Sequence, residues 1–362
     1  IFNYRYKFFV LGETQFIPNK ILFHAALKKK IPVYTWKGTG FLGHCGRIIN
    51  SYKDRNSIIL QYSKKFTNLL LKIYKSRNIL KILINKGFIN DIGLEPTWAE
   101  QQKRKKINFK DKNEFFNYFK LLRKKNILIL PHAMSDNLFN NNWNIFDTAY
   151  YWFYETIRHI QNINDVNWII KPHPYEFKFS GISARKIFEE LGINKKNVIF
   201  LKEDIHINHL YKYVDAIITG NGSAAYEYTS LGIPSITTSD ATYSNFNFTY
   251  APKNKSEYFS LLTKIKNIPK LNKDKIKKAQ IFWMSSMVSV INSFKIIPRI
   301  PQHGKFKKKL FFKLLSKKNI KIFKKNSLSD DINFQILNKN RHSININFIK
   351  KNNKNQFSLK DI

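Results

Sequence analysis

The 362-residue chain, 43.0 kDa, is 43% hydrophobic and 15% aromatic, enough for about two packed domains and inconsistent with a disulfide miniprotein or a globally disordered chain. The single cysteine, Cys45, excludes an internal disulfide and a four-thiolate metal site and fits a reducing, cytoplasmic setting. The net charge of +39, from 63 basic and 24 acidic residues, taken alone points to a polyanion. Lys, Asn and Ile recur along the whole chain, however, where a base-reading surface favours clustered Arg, so no specific nucleic-acid partner is expected.

The chain opens at Ile1 in a strand-like run, and further sequence is expected upstream. Lys20 to Leu27 reads as a helix and Ile31 to Trp36 as a strand. Gly38, Gly40 and Gly43 then satisfy G-x-G-x-x-G, a spacing that lets backbone N–H groups approach a phosphate where a strand precedes it and a helix follows. Asp54 arrives too early for a ribose-binding acid, and a glycine-rich turn explains the same letters. Ser57 to Lys86 has helical spacing, and the charged stretch from Gln101 to Asn113 reads as a linker. The expected domains are 1–115, 116–302 and a basic tail, 303–362.

From Asn126 onward short β-branched runs alternate with amphipathic segments. Strands are expected at Ile127–Leu130, Val166–Ile170, Asn197–Leu201, Asp215–Thr219 and Pro234–Thr237. The helices between them are expected at Asp147–Ile160 with Asp147 as cap, Ala184–Leu191, Ile207–Tyr213, and Ser223–Leu231 stopped by Gly232. Alternation of this kind requires right-handed crossovers and a parallel, doubly wound sheet, whose ligands sit beyond the carboxyl ends of the strands.

Three loops occupy those ends. In GNGSAAYE, Gly220 and Gly222 allow a tight turn through Asn221. Ser223 offers both a cap and a hydroxyl at a helix start suited to a diphosphate, and Glu227 lies one turn on, placed to accept from a sugar hydroxyl. An ordinary glycine turn with a Ser cap accounts for the same letters. In KPHP, Pro172 and Pro174 stiffen a loop that holds Lys171 and His173, a cation and an imidazole able to neutralise a departing phosphate or act as a general acid; a rigid turn with a structural His is the alternative. In PHAMSD, His132 and Asp136 are four apart, close enough for a base and its orienter, against a capping Asp beside a core-edge His.

His206 and His209 lack a third ligand, and no Asp-x-Asp, P-loop or G-x-S-x-G occurs. No metal and no cofactor are therefore expected.

The succession PHAMSD, NIFDTAYYWFYETI, VNWIIKPHP, ITGNGSAAYEYTSLGIPSIT and DATYSNFNFTYAPKNKSEYFSLL resembles the bacterial capsule and surface-polysaccharide biosynthesis family, which is similar to capsular Kdo transferases and more distantly to teichoic-acid glycerophosphotransferases. The resemblance spans about Asn126 to Ile291, with an echo in VLGETQF and ALKKKIPVY. It implies an α/β, GT-B-like fold, two Rossmann-like domains facing across a cleft, with a shortened N-terminal, acceptor-side domain. It also implies a metal-independent glycosyltransferase that uses a nucleotide sugar and extends a glycan or lipid-linked glycan. The family's HP motif and Gly/Ser turn fall on His173 and Pro174, and on Gly222 and Ser223 with Glu227. A nucleotide-sugar epimerase and a glycerophosphotransferase are alternatives on the same scaffold.

Residues 303–362 carry sixteen basic against three acidic side chains, a net of +13. Within them Lys305 to Lys325 interleaves lysines with Phe306, Leu310, Phe311, Leu314, Leu315, Ile322 and Phe323. That pattern fits either a basic amphipathic helix on the anionic inner face of a membrane or a solvated, biased tail.

Overall fold

The computed structural model describes residues 8–12, 18–39, 43–49, 64–74, 78–81, 109–134, 145–173, 176, 182–201, 210–239, 241 and 243–288. The chain divides into two compact units. The expected tail helix at Lys305–Lys325, Asp136, Pro174, His206 and His209 lie outside the described residues.

The first unit holds β1 (Phe9–Gly12), α1 (Asn19–Lys28), β2 (Val33–Thr39) and β3 (Gly43–Ile49). β1 and β2 pair in parallel, Phe9 opposite Val33, which requires the α1 crossover. That helix buries Phe23, Ala26 and Leu27 against Leu11, Val33 and Ile49. β3 returns antiparallel to β2, with Thr39 opposite Gly43 and Gly38 opposite His44. Gly38 and Gly43 of the G-x-G-x-x-G match thus lie inside paired antiparallel strands, and a strand rather than a helix begins at Gly43. Pairing with β3 also carries β2 past the expected end at Trp36.

In the second unit α2 (Lys64–Tyr74) and α3 (Lys112–Tyr118) precede β4 (Asn126–Leu130), α4 (Ala149–Ile160), β5 (Asn167–Ile170), α5 (Ala184–Glu190), β6 (Val198–Phe200) and β7 (Ala216–Thr219). α6 (Ala224–Ser230), β8 (Ser235–Thr237), α7 (Lys255–Thr263) and α8 (Lys273–Val288), the last as far as Met284, complete it. The five strands run in the order β6-β5-β4-β7-β8 and every pairing is parallel. β4, β5 and β7 are buried at every residue, which is why they read as mostly apolar runs with no exposed face. The chain steps outward from β4 to β6, then returns to the other side of β4 at β7, so the topological switch point lies between β4 and β7.

Packing on the sheet follows the apolar faces. α4 buries Trp152, Phe153, Thr156, Ile157 and Ile160. Its cap is Thr148, whose hydroxyl accepts the Tyr151 N–H at 3.3 Å, and not the expected Asp147. Trp152 donates its indole N–H to the Tyr258 hydroxyl at 3.1 Å, and Thr156 shares that hydroxyl at 2.9 Å. The polar handles of two large buried side chains are thereby satisfied inside the core. α3 is capped by Asp111 and stacks Phe115 on Tyr213, ring centroids 4.7 Å apart. The domain boundary expected at residue 115 falls inside this helix.

Candidate functional site

All five carboxyl ends of the parallel sheet share one edge, and the three loops singled out in the sequence follow β4, β5 and β7, which are immediate neighbours. Specific contacts join the loops after β4, β7 and β8 to one another, and the loop after β5 is anchored to β4 and to the start of α5.

After β4, Pro131 ends the strand and Ala133 and Met134 are buried. His132 between them is half-buried, its ring edge-on to Trp152 at 6.5 Å. Its Nε2 accepts the backbone N–H of Asn221 at 3.2 Å, a contact across 89 residues of sequence. Burial pushes the imidazole pKa down to about 4, because the protein around the ring solvates a cation poorly.

After β5 the Lys171 N–H donates to the Ile129 carbonyl at 3.0 Å, extending the ladder one residue beyond the strand. The Lys171 side chain is only 4% exposed, and its ammonium donates to the Pro172 carbonyl at 3.3 Å. His173 is half-buried, and its carbonyl accepts the Glu176 N–H at 3.1 Å. Glu176 is itself buried, and its carboxylate accepts the N–H of Ala184 at the start of α5. The sequence reading missed Glu176; its only sequence signal is an acid eight residues ahead of that helix.

After β7 the Gly220 carbonyl accepts the N–H groups of Thr238 (3.1 Å) and Ser239 (3.3 Å), joining the loop after β8 to the loop after β7. A Cβ on Gly222 would stand 2.9 Å from Thr219 Oγ1, so the turn closes only with glycine there. The Gly222 carbonyl accepts the Tyr243 hydroxyl at 3.0 Å. Ser223 departs from expectation: its dihedrals are helical and its side chain makes no cap hydrogen bond, leaving it exposed at the head of the seven-residue α6. Glu227, one turn on, is 6% exposed. Burial, and then the Glu227 charge, raise the Tyr243 phenol above its ordinary range, so Tyr243 stays protonated and donates at every working pH. Gly232 stops the helix chain-end at φ +88, where glycine alone is unstrained.

The structure therefore brings His132 into contact with Asn221, and places Lys171 and His173 in the loop after β5, the neighbour of β4 on the side away from β7. Tyr243, Thr238 and Ser239 were not anticipated as parts of this edge. Among the described residues, no group of three His, Cys, Asp or Glu is placed to hold a metal ion, and no helix is long and apolar enough to cross a membrane.

No family model matches the chain, and no curated protein sequence matches it. Among solved structures it is similar to two Thermosulfurimonas dismutans KpsC structures. The β-Kdo 2,7 transferase is 12% identical, with a TM-score of 0.41 over 85% of this chain and 84% of that one. The β-Kdo 2,4 transferase is 12% identical, with a TM-score of 0.39 over 75% and 78%. It is also similar to Neisseria meningitidis UDP-GlcNAc 2-epimerase bound to UDP-GlcNAc, at 15% identity and a TM-score of 0.33 over 74% and 72%. All three TM-scores are below 0.5, and the fold assignment stands on the strand order itself.

Proposed function

We propose that the protein is a glycosyltransferase that moves a sugar from a nucleotide-sugar donor to a growing capsule or other surface glycan. The observation that carries this reading is the convergence of three loops at the carboxyl ends of adjacent parallel strands, on and beside the switch point where doubly wound sheets bind nucleotides. One of them holds a buried cation, Lys171, and another a glycine turn closed too tightly for any side chain.

In the reaction an acceptor hydroxyl attacks the anomeric carbon, the bond from that carbon to the phosphate oxygen breaks, and its electron pair leaves with the nucleotide. Lys171, His173 and the exposed Ser223 hydroxyl stabilise the negative charge that grows on the leaving phosphate. Asp136, four residues beyond His132, takes the proton from the acceptor. Pro174 stiffens the loop that presents His173, Gly220 and Asn221 shape the phosphate turn, and Glu227 receives a donor hydroxyl. The reaction uses no metal, and the acceptor is a glycan or lipid-linked glycan at the inner face of the cytoplasmic membrane, approached through the basic tail.

A thermal-shift panel of CMP, CDP, UDP, GDP and NAD at physiological salt tests the reading, with Ser223→Ala as a control that leaves the fold alone because Ser223 is exposed and uncapped. One nucleoside mono- or diphosphate is expected to raise the melting temperature of the parent and to do so less in the variant. Stabilisation by NAD alone, or by nothing, overturns it. Turnover of the matching nucleotide sugar without any acceptor would assign the site to an epimerase instead.

A further inference from the structure

The mutual geometry of His132 and Asn221 assigns the imidazole a different task from proton transfer. A ring nitrogen that accepts an N–H has its lone pair occupied, so His132 is neutral and carries its proton on Nδ1. The ring is held in that orientation by Trp152, which is locked in turn by the Tyr258 hydroxyl and, through it, Thr156. Asn221 lies between Gly220, which is bound to the loop after β8, and Gly222, which is bound to Tyr243. The His132 contact joins this turn to the loop after β4, on the far side of the switch point.

We propose that His132 is a positioning residue: its Nε2 latches the Asn221 N–H and fixes the Gly220–Ser223 turn against the loop after β4, so that the turn is preorganised before any ligand arrives. The nitrogen that makes the latch is unavailable as a base, and proton transfer falls to other groups. Losing the acceptor leaves a partly buried N–H without its partner, which loosens the turn. The effect on nucleotide affinity rests on the function proposed above; the latch itself does not.

Two variants and one spectroscopic readout test this. His132→Gln keeps an acceptor near the Nε2 position, whereas His132→Phe keeps the ring volume and removes the acceptor. Long-range 1H–15N correlations at neutral pH, with the His132 signals identified by their loss in His132→Gln, are expected to show the Nδ1–H tautomer. The Asn221 amide is expected to exchange about tenfold faster in His132→Phe than in the parent, and close to the parent rate in His132→Gln. Nucleotide affinity follows the same order, with a loss of about tenfold in His132→Phe and an unmoved pH profile of turnover in His132→Gln. An Nε2–H tautomer, or equal Asn221 exchange in all three proteins, overturns the latch. So does a turnover rate that collapses equally in both variants while affinity holds, the result expected of a proton-transfer residue. If no nucleotide binds even the parent, the functional reading fails, and the tautomer and the exchange rates still decide the latch.

Discussion

The Tyr243 hydroxyl donates to the Gly222 carbonyl at 3.0 Å from a ring that stacks on Phe248 at 5.4 Å. A side chain from the loop after β8 thus fixes the backbone of the turn after β7, and the ring is too well packed to follow if the turn moves. Tyr243→Phe keeps the stacking and removes the one bond. It is expected to destabilise the protein by about 0.5–1.5 kcal/mol, the net worth of one hydrogen bond, because the part-buried Gly222 carbonyl keeps the Ala225 N–H as a second donor. Chemical denaturation of the parent and variant measures it; equal midpoints would mean that the bond contributes nothing to holding the turn.

Gly222 makes a sharper prediction. A methyl group there meets Thr219 Oγ1 at 2.9 Å, and Thr219 is buried at the end of a central strand with little room to yield. Gly222→Ala should cost about 1–3 kcal/mol, as overpacking of a rigid site does. Adding Thr219→Ala removes the atom it collides with, so the double variant should lose less than the two single losses combined. Strict additivity in that cycle would place the strain elsewhere.

How far the sequence foretold this edge depends on which contacts are local. β4, β5 and β7 are legible because central parallel strands are buried at every residue and so mostly apolar, and the loops beyond them because Gly, Pro and His stand out against that background. Ser223 does not cap α6, because its dihedrals are already helical where a capping residue is extended, a difference that the letter Ser ahead of a helix does not reveal. The Gly38–Gly43 spacing looked like a phosphate loop because glycine in a strand and glycine in a turn are the same letter, and only the pairing with β3 tells them apart. Tyr243 was hidden by composition: in a chain that is 15% aromatic, one more tyrosine carries no contrast. The His132–Asn221 bond joins residues 89 apart, so neither motif announces the other.

Thr238 Oγ1 is buried without a hydrogen-bond partner, beside a backbone N–H that is bound to Gly220. A buried hydroxyl with no partner is a net cost, and valine has nearly the same shape. Thr238→Val is expected to raise stability by about 1 kcal/mol. A fall in the denaturation midpoint would show that the hydroxyl is satisfied in solution.

The low pKa of His132 sets the sign of one acid-dependent term. Its folded value, about 4, lies below the ordinary 6.5 because burial disfavours the imidazolium. Above pH 6.5 the ring is neutral in both folded and unfolded chains and the term is flat. Between pH 6.5 and about 4 the unfolded chain takes up a proton that the folded one refuses, so stability falls as pH is lowered, by on the order of 3 kcal/mol across the window. Below the folded value both states are protonated and the loss stops growing. His159 is lowered by burial too and contributes with the same sign, so the term is read as a difference between parent and His132→Gln. Denaturant midpoints taken from pH 7.5 to 4.5 should fall more steeply in the parent. Parallel curves would mean that His132 titrates alike in the two states and that its ring is solvated in the folded protein.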